Sequence, residues 1–284
     1  MAWELTHDVD AFRAAAGDYL AADPLRNTLL LTVSETVRHR GPHAFGGELP
    51  PRFGWWRPDG SASVAGAFVH TPPNRVLLGP MPGPAVRALV RAWRSGGGAP
   101  VSGVGGGTGT VRCAAEEWAA TGGSWAVHQE QRLFRLGELS WPRPRPDGAA
   151  RTAGAADVPL LARWFADFAD AIGSAVPDPR AQAEQRAASG RLLLWEVDGV
   201  PVSMAGFSPV VADQGRVAPV FTPPGLRGRG YAGAVTCAAS EALRAAGATA
   251  VLLFTDLANP TSNALYQRLG YRPVQDSLVL DFTG

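Results

Sequence analysis

Residues Gly215 to Ala232 read GRVAPVFTPPGLRGRGYA, a run that couples a strand to a glycine-rich basic loop and then to a helix. Val217, Val220 and Phe221 are β-branched or aromatic, and Pro223 and Pro224 stop the strand by removing backbone donors. Arg227, Gly228, Arg229 and Gly230 form the loop. The alanine-rich stretch from Tyr231 to about Ala246 is expected to be helical, with Gly247 as its terminator. Glycines let the backbone come close to a ligand, and the first-turn amides of that helix, those of Tyr231 and Ala232 among them, have no intrahelical partner. With the positive end of the helix dipole, these amides would hold a pyrophosphate. As an isolated motif the same loop would be a solvated basic turn.

Two familiar phosphate sites are excluded. A P-loop requires Gly-Lys-Ser/Thr, and the chain contains no lysine, all 26 of its basic residues being arginine. A dinucleotide fingerprint requires G-x-G-x-x-G with an acidic residue about 20 positions on, and the glycine spacing here is wrong. A second glycine-rich run, Gly105-Gly106-Gly107-Thr108-Gly109, has no suitable strand before it and is read as a flexible connection to a helix from Val111 to Ala120.

Downstream lies a second informative run, Asn259-Pro260-Thr261-Ser262-Asn263-Ala264-Leu265-Tyr266 followed by Gln267-Arg268-Leu269-Gly270-Tyr271. The two runs together resemble the GNAT superfamily of acyl-CoA N-acyltransferases. Arg227, Gly230 and Ala232 match its [Q/R]-x-x-G-x-[G/A] motif in register, and the second run is similar to its N-x-x-[A/S]-x-x-L-Y with a following Gly-aromatic pair. The likeness covers roughly Arg151 to Phe282.

This resemblance implies acetyl-CoA as co-substrate, an amine acceptor, and no metal. It implies that acyl-CoA inserts where a strand splays from its neighbour, the pantetheine pairing with the main chain of Val220, Phe221 and Thr222, one N–H of which could polarise the thioester carbonyl. Arg227 to Ala232 would cradle the pyrophosphate, and Asn259 would meet the pantetheine arm, although Asn before Pro is equally a helix N-cap. Tyr266 is the candidate acid for the departing thiolate, with a core aromatic as the plain alternative. A phenol titrates at about 10, so it keeps its proton at rest, and a thiol at about 8.5. No general base stands out: Asp256, Glu196, Asp167 and Asp170 all suit solvated or capping roles. Turnover by direct transfer in a ternary complex is the reading that Tyr266 favours, and a non-catalytic acyl-CoA sensor or scaffold is the alternative.

Composition bounds the rest. A chain of 284 residues can bury two cores. With a net charge of +1 and no basic stripe beyond the arginine loop, nucleic acid and anionic membranes are not expected partners. The acidic opening and the absence of a long apolar run lead us to expect a cytoplasmic protein, as a monomer or homodimer. Cys113 and Cys237 sit in alanine-rich helical contexts and read as small buried side chains.

SWPRPRPDGAA, residues 140–150, breaks two patterned halves. We expect an α/β fold of α+β type made of two tandem GNAT-like domains, each a mixed, mostly antiparallel sheet flanked by helices. The first domain is 1–140, the linker 141–150, and the second domain, which binds acetyl-CoA, 151–284. Trp56 to Gly60 parallels Trp195 to Gly199 as a hairpin signal, and Gly123, Val127 and Leu133 precede Gly270, Val274 and Leu280 by 147 residues each. That alignment sets Ala119 where Tyr266 stands and Arg112 where Asn259 stands, so the first half reads as a degenerate copy. In the second half, helices are expected at 157–171, 181–189, 231–246 and 260–269, and strands at 192–197, 202–210, 216–222, 250–254 and 277–282.

Overall fold

The computed structural model describes residues 2–96, 100–173 and 178–284. It is a mixed α/β fold in which antiparallel pairs dominate and eight α-helices flank the strands among the described residues. The chain forms two compact units. One comprises residues 1–133, 255–259 and 273–284, and the other 134–254 and 260–272.

In the first unit β1 (Ala2–Thr6), β2 (Arg52–Arg57), β3 (Gly66–His70) and β4 (Val76–Leu78) follow as antiparallel neighbours. β4 then pairs in parallel with β5 (Gly103–Gly107). Their crossover is α3 (Gly83–Arg94), and α4 (Thr108–Ala120) follows β5. Neighbouring residues of β2 face opposite ways. Phe53 stacks on Phe12 of α1 (Val9–Ala22), whose partner α2 (Thr28–Arg40) follows it. Gly54 leaves room for the Phe68 ring, which meets Trp93 of α3 edge-on. Helices therefore cover both faces of this sheet.

Of the glycine-rich run read as a flexible connection, Gly105 to Gly107 belong to strand β5, and Thr108 and Gly109 already open α4. β5 pairs on one side with β4 and on the other with the last strand of the chain, β12 (Tyr271–Thr283), from Gly103↔Asp281 to Gly107↔Ser277. Side chains would obstruct this close approach: a Cβ on Gly106 would lie 2.6 Å from the Leu78 carbonyl oxygen. The glycines serve packing rather than flexibility.

The second unit contains β7 (Ala149–Thr152), β8 (Leu192–Val197), β9 (Val200–Phe207) and β10 (Gln214–Phe221) as antiparallel neighbours, and β10 pairs in parallel with β11 (Ala250–Asp256). The β8–β9 turn is the Asp198-Gly199 pair expected of a hairpin, both residues with positive φ. Strand alternation divides the core. Leu192 and Leu194 join the cluster of Leu161, Trp164 and Phe165 on α5 (Val158–Ala171), with Ala183 of α6 (Pro179–Ala188). Leu193 and Trp195 face the cluster that contains α7 (Tyr231–Ala245) and α8 (Pro260–Arg268).

Element types follow the expected ones closely in this half, but the boundaries of the compact units do not fall at 141–150. Phe134 and Leu136, at the end of β6 (Ser124–Leu136), are buried in the core of the second unit. Leu278, Leu280 and Phe282 are buried in the core of the first, Phe282 stacked on Trp118 at 4.4 Å. The last strand, expected to complete the second domain, thus completes the first sheet. Residues 141–150 are a packed segment: the Trp141 indole donates to Glu241, the Trp195 indole donates to the Asp147 carbonyl, and Arg145 lies 3.7 Å over the Trp141 ring. The cysteines are both free. Cys237 is buried, which pushes its thiol up to about 12, and Cys113 is only partly buried.

Leu280 is fully buried in the first unit's core, so Leu280→Ala should cost about 2–5 kcal/mol in chemical denaturation. A cost well under about 1 kcal/mol would show that β12 does not hold that core.

Candidate functional site

The parallel register of β10 and β11 runs from Gln214↔Ala250 to Arg216↔Leu252 and stops there. Against β9 the same strand goes on: Val217↔Phe207, then Val220↔Ala205 and Phe221↔Met204. Three steps along β10 match two along β9, so one extra residue is inserted between Val217 and Val220. This is a β-bulge, and bulges bend the strand that carries them. Pro219 lies within it and offers no backbone donor, a residue type that strand interiors exclude except at such irregularities.

The extra residue also changes which way β10 faces. Val217 lies in the α7-side core, whereas Phe221, four positions on, lies in the α5-side core 6.1 Å from the Trp164 ring. In an unbroken strand they would share a face. Opposite the bulge stands Gly206, where a Cβ would fall 2.8 Å from the Ala218 carbonyl oxygen and 3.1 Å from Pro219 Cδ. Bulge, proline and glycine together turn the end of β10 away from its parallel neighbour. Among the described residues, Val217 and Ala218 have no parallel partner.

Beyond β10, Pro224–Leu226 make one turn of 3₁₀ helix, and the loop reaches α7 through Gly228 at φ +79° and Gly230 at φ +82°. Gly230 is the N-cap in left-handed conformation, which an L side chain disfavours, and no side chain caps the helix. The first helical bond is Ala234 N–H to the Gly230 carbonyl, leaving the amides of Tyr231, Ala232 and Gly233 without an acceptor in the helix. Gly228, Arg229 and Gly230 are exposed, Tyr231 and Ala232 half-buried. Unpaired amides at the positive end of a helix favour an anion, and Arg229 beside them has no ion pair among the described residues. Arg227 is exposed too, but its Nε donates to the Thr222 carbonyl at 3.0 Å.

α8 packs on the first turn of α7. A Cβ on Gly233 would lie 3.3 Å from Leu265 Cδ1 and 2.9 Å from Pro142 Cγ. Tyr266, the next residue of α8, is 8% exposed in the α7-side core, its ring 6.0 Å from that of Tyr271. Burial pushes its phenol up to about 12, and its hydroxyl makes no hydrogen bond to any described residue. It is therefore a neutral O–H donor throughout the working pH range. The ring packs in the core while the hydroxyl has no hydrogen-bond partner among the described residues.

Asn259 directly precedes α8, donates its backbone N–H to the Asp256 carbonyl at 3.1 Å, and belongs to the first unit, unlike the other candidate residues. The carboxylates weighed as bases have structural occupations or open exposure. Glu196 pairs with Arg151 at 2.7 Å, and Asp256 accepts from Gln129 and from the Ala258 amide. Asp167 and Asp170 are exposed on α5. Ser203 and Gly206 escape sequence inspection. Pro219, inside an apolar run, was the one signal of the bulge.

Taken together, one strand end free of its parallel neighbour, one unsatisfied helix start and one neutral phenol can bind an extended, amide-bearing chain that ends in a phosphate. Residues 159–271 match the model of the acetyltransferase (GNAT) family. Nothing among curated protein sequences matches the chain. Solved structures share its fold. A GNAT-family acetyltransferase from Colwellia psychrerythraea is 11% identical with TM-score 0.59, over 100% of this chain and 99% of its own. A GCN5-related N-acetyltransferase from Sphaerobacter thermophilus is 16% identical with TM-score 0.59, over 98% and 94%. Another from Kribbella flavida is 20% identical with TM-score 0.55, over 78% and 88%.

Because the bulge needs a bare Cα opposite it, Gly206→Ala should destabilise the fold by about 1–3 kcal/mol. Amide exchange should rise around 214–221 before it rises in β8, and an unchanged melting temperature would contradict the tight approach.

Proposed function

We propose that the chain is an acyltransferase of the acetyltransferase (GNAT) type, whose family model residues 159–271 match, and that it transfers the acetyl group of acetyl-CoA to a primary amine of a small molecule or peptide within a ternary complex. The observation that carries this reading is the end of β10–β11 pairing at Arg216 and Leu252, 15 residues before the uncapped helix start at Tyr231.

In this reading the pyrophosphate rests on the amides of Tyr231, Ala232 and Gly233, with Gly228 and Gly230 giving close approach and Arg229 adding charge. The pantetheine amides pair with the freed main chain near Val220, Phe221 and Thr222, where one N–H polarises the thioester carbonyl. The neutral amine attacks the carbonyl carbon, a C–N bond forms, and the adduct collapses with loss of the C–S bond. Overall, the proton lost by nitrogen ends on sulfur, so products are an amide and a free thiol.

Tyr266 is the group that meets the departing sulfur. A free thiol titrates at about 8.5, well below the raised phenol, so complete transfer of the tyrosine proton is uphill. Its first service is thus a hydrogen bond to the developing thiolate, and the proton it gives is restored from the one the amine releases. Burial sets the pH dependence. Since the folded phenol ionises at about 12 and an unfolded one at about 10, the phenol favours the folded state below about pH 10, and this advantage declines as pH rises toward 12.

The first unit is read as a degenerate copy. Its β4 has only three residues, of which all are paired with β5, and its crossover helix starts at Gly83-Pro84 without an arginine-glycine loop.

A thiol-release assay over a panel of primary amines tests the proposal. Amine-dependent release is expected, and binding of acetyl-CoA without release for any amine would make the protein a sensor. Tyr266→Phe should lower turnover at least about tenfold while acetyl-CoA affinity stays within about twofold. Unchanged turnover would remove Tyr266 from the chemistry.

A further inference from the structure

We propose that Ser203 and Arg227 are positioning residues that hold the end of β10 open, Arg227 acting on the strand rather than on the phosphates. This inference rests on the acyl-CoA reading of the same site.

A strand that leaves its neighbour abandons hydrogen-bond partners, and buried backbone groups left without any cost free energy. Here Arg227 supplies a donor on the edge that β11 has left, and Ser203 fastens the departing strand end to β9. The Ser203 hydroxyl, fully buried on β9, donates to the Phe221 carbonyl at 3.0 Å. A serine hydroxyl has one proton, so the 2.8 Å contact between Ser203 Oγ and Thr222 Oγ1 is donated by the threonine. Next, the Thr222 carbonyl takes the Arg227 Nε–H at 3.0 Å. The chain of donors runs from Arg227 to the Thr222 carbonyl, and from the Thr222 hydroxyl through Ser203 to the Phe221 carbonyl.

Main-chain groups of successive residues in an extended strand point to alternate edges. With the Phe221 carbonyl held by β9, Val220 and Thr222 point to the edge that β11 has left. Thr222 has its carbonyl engaged by Arg227. Val220 is then the residue whose N–H and C=O remain for an incoming amide, which narrows the three-residue strand end to one pairing position. It also gives Arg227 a task in which its charge is incidental and the position of its Nε–H is not.

Three variants separate the latch from an anion ligand. Arg227→Gln retains an N–H donor as many bonds from Cα as Nε, without charge. Arg227→Lys retains charge but moves the donor one atom outward, and Ser203→Ala removes the second donor. In ligand-free protein, amide exchange over 217–222 should quicken at least about tenfold in Arg227→Lys and Ser203→Ala, and less than about threefold in Arg227→Gln, with β8 unaffected. No ligand enters that measurement, so it stands or falls apart from the functional reading. Calorimetric titration with coenzyme A should then rank affinity as wild type, Arg227→Gln, and last Arg227→Lys with Ser203→Ala. The reverse ranking, with Lys above Gln and exchange unchanged, would assign Arg227 to the phosphates and overturn the proposal. Exchange that rises equally in β8 would overturn it as well, since the two residues would then be holding the fold at large.

Discussion

The second unit depends on one inserted residue. Between Val217 and Val220 the strand β10 takes three steps to β9's two, and this local miscount has three separate consequences. It bends the strand away from β11, it swings Phe221 into the α5-side core, and it requires a glycine opposite. Each consequence has its own support: Pro219 cannot bond across, Trp164 receives the turned Phe221 ring, and Gly206 clears the Ala218 carbonyl. Regular pairing would satisfy more backbone groups. What the bulge yields instead is a main-chain edge without a partner, close in sequence to a helix start also without one.

The same economy governs α7. Its buried face mixes small side chains, Ala234, Cys237, Ala239 and Ser240, with Val235, Thr236 and Leu243, the Leu243 methyls meeting the bare Cα of Gly215, and Gly233 lets α8 and Pro142 approach its first turn. Segment 140–147 runs along this helix, with Pro146 beside Gly230, Pro142 beside Gly233 and Trp141 bonded to Glu241. Its prolines, which suggested a linker, instead make it stiff enough to pack.

Much of this was legible in residue types. Strands β8 and β10, helices α7 and α8 and the Asp198-Gly199 turn follow from alternation, caps and turn chemistry that act over a few residues. The arginine-glycine loop announced its left-handed glycines because only glycine adopts them freely. Interactions distant in sequence were not legible. No local pattern says that Leu280 belongs to the core of Val104 and Trp118, since an apolar strand residue satisfies any sheet of matching register. Nor does the glycine run 103–107 reveal a strand, because glycine's low strand propensity conceals a position where two neighbours approach too closely for a Cβ. Arg227 was matched to a motif position that takes Gln or Arg, and the two share a donor at the same reach from Cα. That shared donor, rather than the charge, is what the Thr222 carbonyl uses.

Elements recur at one offset along the chain, as the expected internal repeat would place them. β6 starts at 124 and β12 at 271, β5 at 103 and β11 at 250, each 147 residues apart, and both halves contain a parallel strand pair crossed by one helix. They differ where the account locates function, for β4 is wholly paired and β10 is not. Calorimetric titration of acetyl-CoA into the wild-type protein reads that difference directly. The account predicts saturable binding at one site per chain, with the negative heat-capacity change of buried apolar surface. No binding would contradict the reading of the opened strand, and two sites per chain would contradict the reading of the closed one.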